Sequence, residues 1–471
     1  MQIAKDNPSS TSALDLSEIR ARIATFLDRK TCVSCMRVSR DWFKDFAPSV
    51  WHTIDFDVDD RDDHAFSGFL DKYGSFISEV RNISHKSDLR SIQHHSVSVL
   101  KSIQVRHSGD HHLQERLSDL LLRCSGSIHA LEIEIRYPVP VPNSWTRQKE
   151  QPGNYVRVAD IIATSSSSST DNRINTRCGN CLVILKLEFA CLTREAFSTL
   201  LRGSPSLDKL TLHRVVVVGH KSSVPLYTGS SLRYLSASLN QIYAMDVDDQ
   251  DAPSLLLHFP LLKEWSISLM NQPCHWPTGP VREDFSTCCP DLKTITFGKE
   301  GCELTSNLLI NSFQKVETCT LISENLTPAT ALGLIAHQAT LTSVTVNDIM
   351  EDSSWTQWFH MIPRLCTKLQ ILSLVSFKFD SKTLDTFKWG CKDLQELRVR
   401  FQDLDDDWEI EGCLKQLCDW RRFGGGALTP HKNNMNAETR VCQFLFQFKS
   451  LRTVWLGTKD CYLPPLYEPR P

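Results

Sequence analysis

From Leu182 onward the chain keeps returning to one spacing, apolar-x-x-apolar-x-apolar. It reads Leu182, Leu185, Leu187, then Leu207, Leu210, Leu212, then Leu232, Leu235, Ala237. It continues as Leu262, Trp265, Ile267, as Leu292, Ile295, Phe297, as Val316, Cys319, Leu321 and as Leu341, Val344, Val346. The last copies are Leu369, Leu372, Leu374, then Leu394, Leu397, Val399, and finally Leu451, Val454, Leu456. Taking the middle residue as anchor, the steps from Leu185 to Leu397 are 25, 25, 30, 30, 24, 25, 28 and 25 residues. That length holds one strand and one helix, and a fixed period marks a repeat architecture. Weaker copies are anchored upstream at Val80, Ile103 and Leu131.

Between the predicted strands the pattern turns helical. Thr327 precedes Pro328, a cap residue followed by proline at the first helical position, with Leu332 and Ile335 assigned to one face. Helices are predicted in the same way over 193–201, 355–366 and 381–389. One such repeat cannot bury its own apolar face, so neighbours must stack to form a core. Residues 65–460 therefore resemble the leucine-rich-repeat family. The resemblance implies an α/β solenoid, a horseshoe with helices outside and strands lining a concave surface.

Two steps are too long for one repeat, Leu131 to Leu185 and Leu397 to Val454, at 54 and 57 residues. Each is expected to hold a degenerate repeat or an insertion. The first contains Ser165 to Ser169 and Thr170, a composition with too little apolar surface to order itself, so 138–178 is read as a flexible insertion. The second carries a predicted helix over 413–422 and a loop at Gly424, Gly425 and Gly426.

Residues 13–56 stand outside the period. Ser17 is predicted to cap a helix bearing Ile19, Ile23, Phe26 and Leu27 on one face. A second helix is predicted from a Thr31 cap through Val33, Met36 and Val38 to Trp42 and Phe43. So short a segment builds a thin core, whose apolar face a partner can complete. The run Leu16-Ser17-Glu18-Ile19, then Ile23, Phe26-Leu27, and Cys35-Met36-Arg37-Val38-Ser39-Arg40-Asp41-Trp42 resembles the F-box. Ser17 stands where that family's pattern has proline. The resemblance implies an all-α module that docks on the Skp-type adaptor of a cullin ubiquitin ligase core. Leu14, Leu16, Ile19, Ile23, Leu27, Val33, Val38 and Trp42 would form the adaptor-binding face. It also implies that the downstream repeats hold an unidentified protein substrate. The alternative is a helical cap on a repeat scaffold that touches no ligase.

Charge removes other classes of partner. Charged residues make up 23% and net charge is −3, without the basic stripe that nucleic-acid binding needs. Residues 1–12 are polar and read as a disordered tail, no stretch is apolar enough for a membrane span, and a cytoplasmic or nuclear location is expected. Seventeen cysteines in a reducing compartment do not suggest disulfides. Cys32/Cys35 and Cys178/Cys181 have C-x-x-C spacing, but Cys289, Cys366 and Cys391 recur three residues before a repeat leucine, which reads as small packing residues. The acidic run from Asp55 to Asp63 lacks a calcium loop's glycine and glutamate, with Asp60 and Phe66 in those places, and Asp246, Asp248 and Asp249 fail similarly at Leu257. His107, His111 and His112 are spaced by a solvated loop. No cofactor, no metal and no catalytic set is expected, so the chain is read as a non-enzymatic adaptor.

On each predicted strand the residue after the anchor faces the concave side. That column reads Lys186, Thr211, Ser236, Ser266, Thr296, Thr320, Thr345, Ser373, Arg398, Trp455. The next outward column reads Glu188, His213, Ser238, Ser268, Gly298, Ile322, Asn347, Val375, Arg400, Gly457. Thr296, Thr345 and Ser373 are expected to accept a close-fitting polar segment of substrate, with Arg398, Arg400 and Trp455 as anchors. Hydroxyl residues also simply suit strands on a crowded inner curve. The Pro-rich tail 461–471 carries Pro464-Pro465-Leu466-Tyr467, a pattern that WW domains read, so a WW-domain protein is a candidate partner there.

Overall fold

A computed structural model describes residues 16–57, 68–135, 181–218, 231–237, 259–267, 288–298, 302–423 and 436–464, apart from short breaks inside these ranges. Leu14, the 1–12 tail, the 138–178 insertion and the tail beyond Pro464 lie outside the described residues. The chain divides into two compact units, residues 1–209 with 214–225, and residues 210–213 with 226–471. Both are α/β in character and mostly parallel.

The first unit opens with helices α1 (Ser17–Ala24), α2 (Arg29–Cys35) and α3 (Arg40–Trp51). Strands β1 (Thr53–Asp55), β2 (Glu79–Ile83), β3 (Ser102–His107), β4 (Ala130–Ile135) and β5 (Ile184–Glu188) follow, with α4 (Lys86–His94) and α5 (His111–Arg123) in the connections. Neighbouring strands are parallel and in chain order, with Ile54 facing Val80, Val80 facing Ile103, Ile103 facing Leu131 and Leu131 facing Leu185. The sheet thus begins at Thr53, ahead of residue 65. Leu131 faces Leu185 directly, so no strand of the sheet stands between β4 and β5, and residues 136–180 lie outside the described residues. Beyond β5 the first unit holds β6 (Cys191–Thr193), α6 (Arg194–Gly203) and, after β7 (Lys209–His213), which belongs but for Lys209 to the second unit, β8 (Val216–Val218), with β6 and β8 forming a separate parallel pair.

The second unit carries β9 (Tyr234–Ser236), β10 (Glu264–Ile267), β11 (Thr294–Phe297), β12 (Thr318–Ser323), β13 (Ser343–Asp348), β14 (Ile371–Phe379), β15 (Glu396–Phe401), β16 (Thr453–Leu456) and β17 (Lys459–Tyr462). Its helices are α7 (Cys302–Asn311), α8 (Pro328–Ala336), α9 (Thr356–Phe359), α10 (Met361–Leu365), α11 (Asp407–Phe423) and α12 (Ala437–Phe446). Anchors face anchors from Leu235 through Trp265, Ile295, Cys319, Val344, Leu372 and Leu397 to Val454. The sequence period is therefore the ladder register, since a one-residue slip would turn every apolar side chain out of the core. Leu397 faces Val454 directly, so no strand of the sheet stands between β15 and β16, and the described residues of the 57-residue step hold α11 and α12.

Burial alternates along these strands. In β15 Leu397, Val399 and Phe401 are buried while Arg398 is exposed and Arg400 half-buried, and β10, β11 and β16 alternate in the same way. A parallel sheet covered on both faces would show continuous apolar runs. Here one face packs and the other stays accessible. Among the described residues no helix is long and apolar enough to cross a membrane.

Several local expectations change. Ser17 does not cap α1, because Leu16 holds that position and Ser17 is the first helical residue. Thr31 does not cap the next helix either. Asp28 does, its carboxylate accepting from the Thr31 amide at 2.8 Å. The single helix predicted from Thr31 to Phe43 breaks after Cys35, and a third helix starts at Ser39, whose hydroxyl accepts from the Trp42 amide. On α8 the inward residues are Ala331 and Leu334, while Leu332 is exposed. The span 381–389, predicted as a helix, opens with a 3-10 turn, Ser381–Thr383, where Asp380 accepts from the Lys382 amide and Asp403 takes both the Ser381 amide and its hydroxyl, while residues 385–387 lie outside the described residues. Trp389 is buried beyond it, edge-on to Phe444 at 4.8 Å.

Candidate functional site

Two surfaces could bind a partner, one in each unit. The first is the three-helix module. Its core is Ala24, Cys32, Phe46 and Val50, with Ile23, Leu27, Val33, Cys35, Met36, Trp42 and Trp51 packed against it and partly buried. Trp42 stacks on Phe46 at 5.2 Å. The face of α1 that turns inward is Arg20 and Ala24, so Leu16, Ile19 and Phe26 are left exposed, Phe26 at 79%. Val38, in the turn before α3, is 64% exposed. Phe26 is not among the expected docking residues, whereas Ile23, Leu27, Val33 and Trp42, expected there with Leu16, Ile19 and Val38, contribute only their outer edges, because each also supports the core.

The device that fixes α1 against α3 was not legible as such. Arg20 and Asp45 form a buried ion pair at 2.6 Å, and the Ser17 hydroxyl donates to the same carboxylate at 2.6 Å. Burial pushes the Asp45 carboxyl up, but the hydrogen bonds from Ser17 and Arg20, with the Arg20 charge, more than offset it and hold the pKa below the usual range. Serine at position 17 thus has a structural task that proline could not perform. A sequence signal existed in the i, i+3 spacing of Ser17 and Arg20, but its partner lies 25 residues beyond Arg20.

The second surface is the accessible face of the second unit's sheet. Ladder register aligns Ser236, Ser266, Thr296, Thr320, Thr345, Ser373, Arg398 and Trp455 in one row across eight strands. β17 extends the row with Asp460, opposite Trp455, and turns antiparallel. Thr296 and Thr345 are half-buried and accessible, but Ser373 is only 4% exposed and cannot contact substrate as expected of it. The second predicted column breaks at β14. Its register shifts between Leu374 and Lys378, so Lys378, not Val375, lies beside Arg400. The shift exists because Phe377 and Phe379 both point into the core, Phe377 stacking on Phe359 at 4.4 Å and Phe379 lying edge-on to His360 at 4.3 Å. Burial lowers the His360 pKa to about 4, so that ring stays neutral at physiological pH.

At the row's end Arg398 pairs with Glu396 at 2.7 Å, and the Arg400 guanidinium sits 5.9 Å from the Trp455 ring centre. Both arrangements hold long side chains in place before any partner arrives, which lowers the entropy cost of binding. Lys378, Glu396, Asp460 and the exposed Tyr462 belong to this corner, and repeat reading alone did not single them out. In the first unit the corresponding positions are occupied by ion pairs, Lys186 with Glu132 at 2.6 Å and with Glu188 at 2.7 Å, and Arg106 with Glu134 at 3.2 Å and with Asp57.

The rejected motifs have structural places. Cys32 is part of the module core, and Cys289, Cys366 and Cys391 are buried, each thiol pushed up by burial to about 12. These sulfurs are protonated packing groups. Asp55 accepts from the Asn82 side chain at 2.7 Å. Among the described residues no three His, Cys, Asp or Glu converge as metal ligands. Cys178, the acidic residues 246–249, Tyr467 and the side chains of His107, His111 and His112 lie outside what is described. A scan against protein-family models and a search of curated proteins find no match to this chain.

Proposed function

We propose that the chain is the substrate-recognition adaptor of a Skp-cullin-F-box ubiquitin ligase. The N-terminal module docks on a Skp-type adaptor, the repeats form a leucine-rich-repeat horseshoe, and its accessible strand face holds a protein substrate. Catalysis comes from other subunits. The observation that carries this reading is the exposure of Leu16, Ile19, Phe26 and Val38 on three helices whose fully buried apolar residues are Ala24, Cys32, Phe46, Ala47 and Val50. Apolar side chains in that number on so small a body are characteristic of an interaction site. The ladder of strands with one packed face supports the repeat half, because stacked repeats of this kind leave their inner strand face free for ligands.

The rival reading, a helical cap on a scaffold, is favoured by the contacts of α3 with the segment before β2. Trp51 stacks on Tyr73 at 5.1 Å and Phe43 lies 6.2 Å from the same ring. Co-purification with a Skp-type adaptor separates the two. Wild type is expected to bind, and Phe26→Asp to bind at least ~10-fold more weakly, a loss of about 1.4 kcal/mol. Phe26 is a cleaner probe than Ile23 or Leu27, whose replacement also damages the core. Absence of wild-type binding would remove the ligase reading.

On the strand face, Arg398→Ala with Arg400→Ala is expected to weaken substrate by at least ~10-fold while leaving the fold intact, since neither side chain is fully buried. Quantitative cross-linking of substrate to both forms of the full chain measures it. Equal yields would sink the anchoring role.

A further inference from the structure

Helix α11 carries two cysteines that each meet a second sulfur. Cys413 lies 3.1 Å from Cys442 on α12, and Cys418 lies 3.5 Å from Cys461 on β17. The first pair is buried and the second half-exposed. Only the second can meet a small oxidant at the surface without the helices separating. We propose that Cys418 and Cys461 are an oxidation site, at which a peroxide closes a disulfide that clasps the terminal strand to α11. The inference does not depend on the ligase reading.

The geometry is close to that needed. Sulfurs already in contact must approach by about 1.5 Å to reach the bonded separation of about 2.05 Å, a distance that side-chain rotation can cover. The strand that would be clasped is otherwise lightly held. β17 is the last in the sheet, pairs with β16 on one edge and has no fully buried residue. Its other described ties lie at its two ends, where the Leu463 amide donates to the Arg452 carbonyl at 2.7 Å, Arg421 donates to the Pro464 carbonyl at 3.3 Å, and Lys459 pairs with Glu411 at 3.0 Å and Asp407 at 3.9 Å. Such a strand opens locally at low cost unless a covalent link prevents it.

The chemistry balances with one peroxide. The Cys418 thiolate attacks the O–O bond, forming a sulfenic acid, and water leaves once the departing oxygen is protonated. The Cys461 sulfur then attacks the Cys418 sulfur, forming the S–S bond, and the expelled hydroxide takes the Cys461 proton to leave as a second water. Two thiols are oxidised to one disulfide while the peroxide is reduced by two electrons to two waters. The Cys461 thiol, pushed up to about 11 by burial first and by its contact with Cys418 next, stays protonated at neutral pH, so it is not the sulfur that attacks the peroxide, and it needs the expelled hydroxide to take its proton. A thiol reductant reverses the step.

Closing the clasp fixes Asp460 beside Trp455 and Tyr462 beside Thr453, and so stiffens the basic and aromatic corner of the accessible face. The test is to treat the full chain with one equivalent of hydrogen peroxide, alkylate the remaining thiols and map peptides without reduction. A cross-linked pair containing Cys418 and Cys461 is expected, reversed by dithiothreitol and absent in Cys418→Ser. Amide exchange over Lys459–Tyr462 should slow by roughly 100-fold on oxidation. Both cysteines recovered alkylated, a sulfinic acid at Cys418 without a cross-link, or a link between Cys413 and Cys442 in its place would each overturn the proposal.

Discussion

Arg421→Met is expected to release the C-terminal end of the second unit. Arg421 is 1% exposed, and its guanidinium donates to four carbonyls, those of Phe448 at 2.9 Å, Lys449 at 3.0 Å, Pro464 at 3.3 Å and Leu451. Burial lowers its pKa from the ordinary arginine value, with the nearby Cys418 acting the other way. These carbonyls belong to the end of α12, the turn into β16 and the segment after β17, so one side chain ties three pieces of backbone to α11. Methionine fills similar space but leaves the buried acceptors unpaired, at about 1–3 kcal/mol each before relaxation. A net loss of roughly 3–5 kcal/mol follows, at the upper end for a single substitution. Lysine should recover little, since one ammonium cannot reproduce the planar fork. Hydrogen exchange reads the outcome. Protection of Thr453–Leu456 and Lys459–Tyr462 should collapse while that of β10 to β13 persists, and unchanged protection at β16 and β17 would refute the account.

Asp45→Ala should open the helical module. The substitution leaves Arg20 buried without its counter-charge and Ser17 without its acceptor, at a cost of about 3–5 kcal/mol. A module of this size has little stability to lose, so α1 should detach from α3 in a sizeable fraction of molecules. The same carboxylate gives the module a pH dependence of fixed sign. Asp45 has a lower pKa folded than unfolded, so the native module binds fewer protons. Its contribution is present in full above the unfolded value of about 3.9 and fades as pH falls through the lower folded value. Asp45→Asn, which cannot ionise, should show a flatter profile over that acid range. Limited proteolysis between α1 and α2 measures both effects. A wild-type profile from Asp45→Asn would show that another group carries the acid sensitivity.

These two residues illustrate what sequence reading could and could not reach. Asp45 and Arg421 are charged side chains, and a charged residue in a helix is ordinarily read as solvated. Only the packing reveals that their partners lie 25 and about 30 residues away. The aromatic cluster of Phe359, Phe377, Phe379 and Trp389 is a similar case. It shifts the register of β14, which puts Lys378 rather than Val375 beside Arg400.

The strands and their register were determined by the sequence itself, because the apolar period is dictated by side chains that alternate across a sheet and by the cost of turning them outward. Which polar residues line the accessible face follows from the same alternation. The tertiary structure decided everything that rests on contacts without a period. It covered Ser373 within its row, left Phe26 and Val38 in solvent, split the second helix, paired β4 directly with β5 and β15 with β16, and brought Cys418 to Cys461 across 43 residues. Such contacts depend on how three-dimensional packing closes each gap, and a spacing rule read along the chain has no access to that.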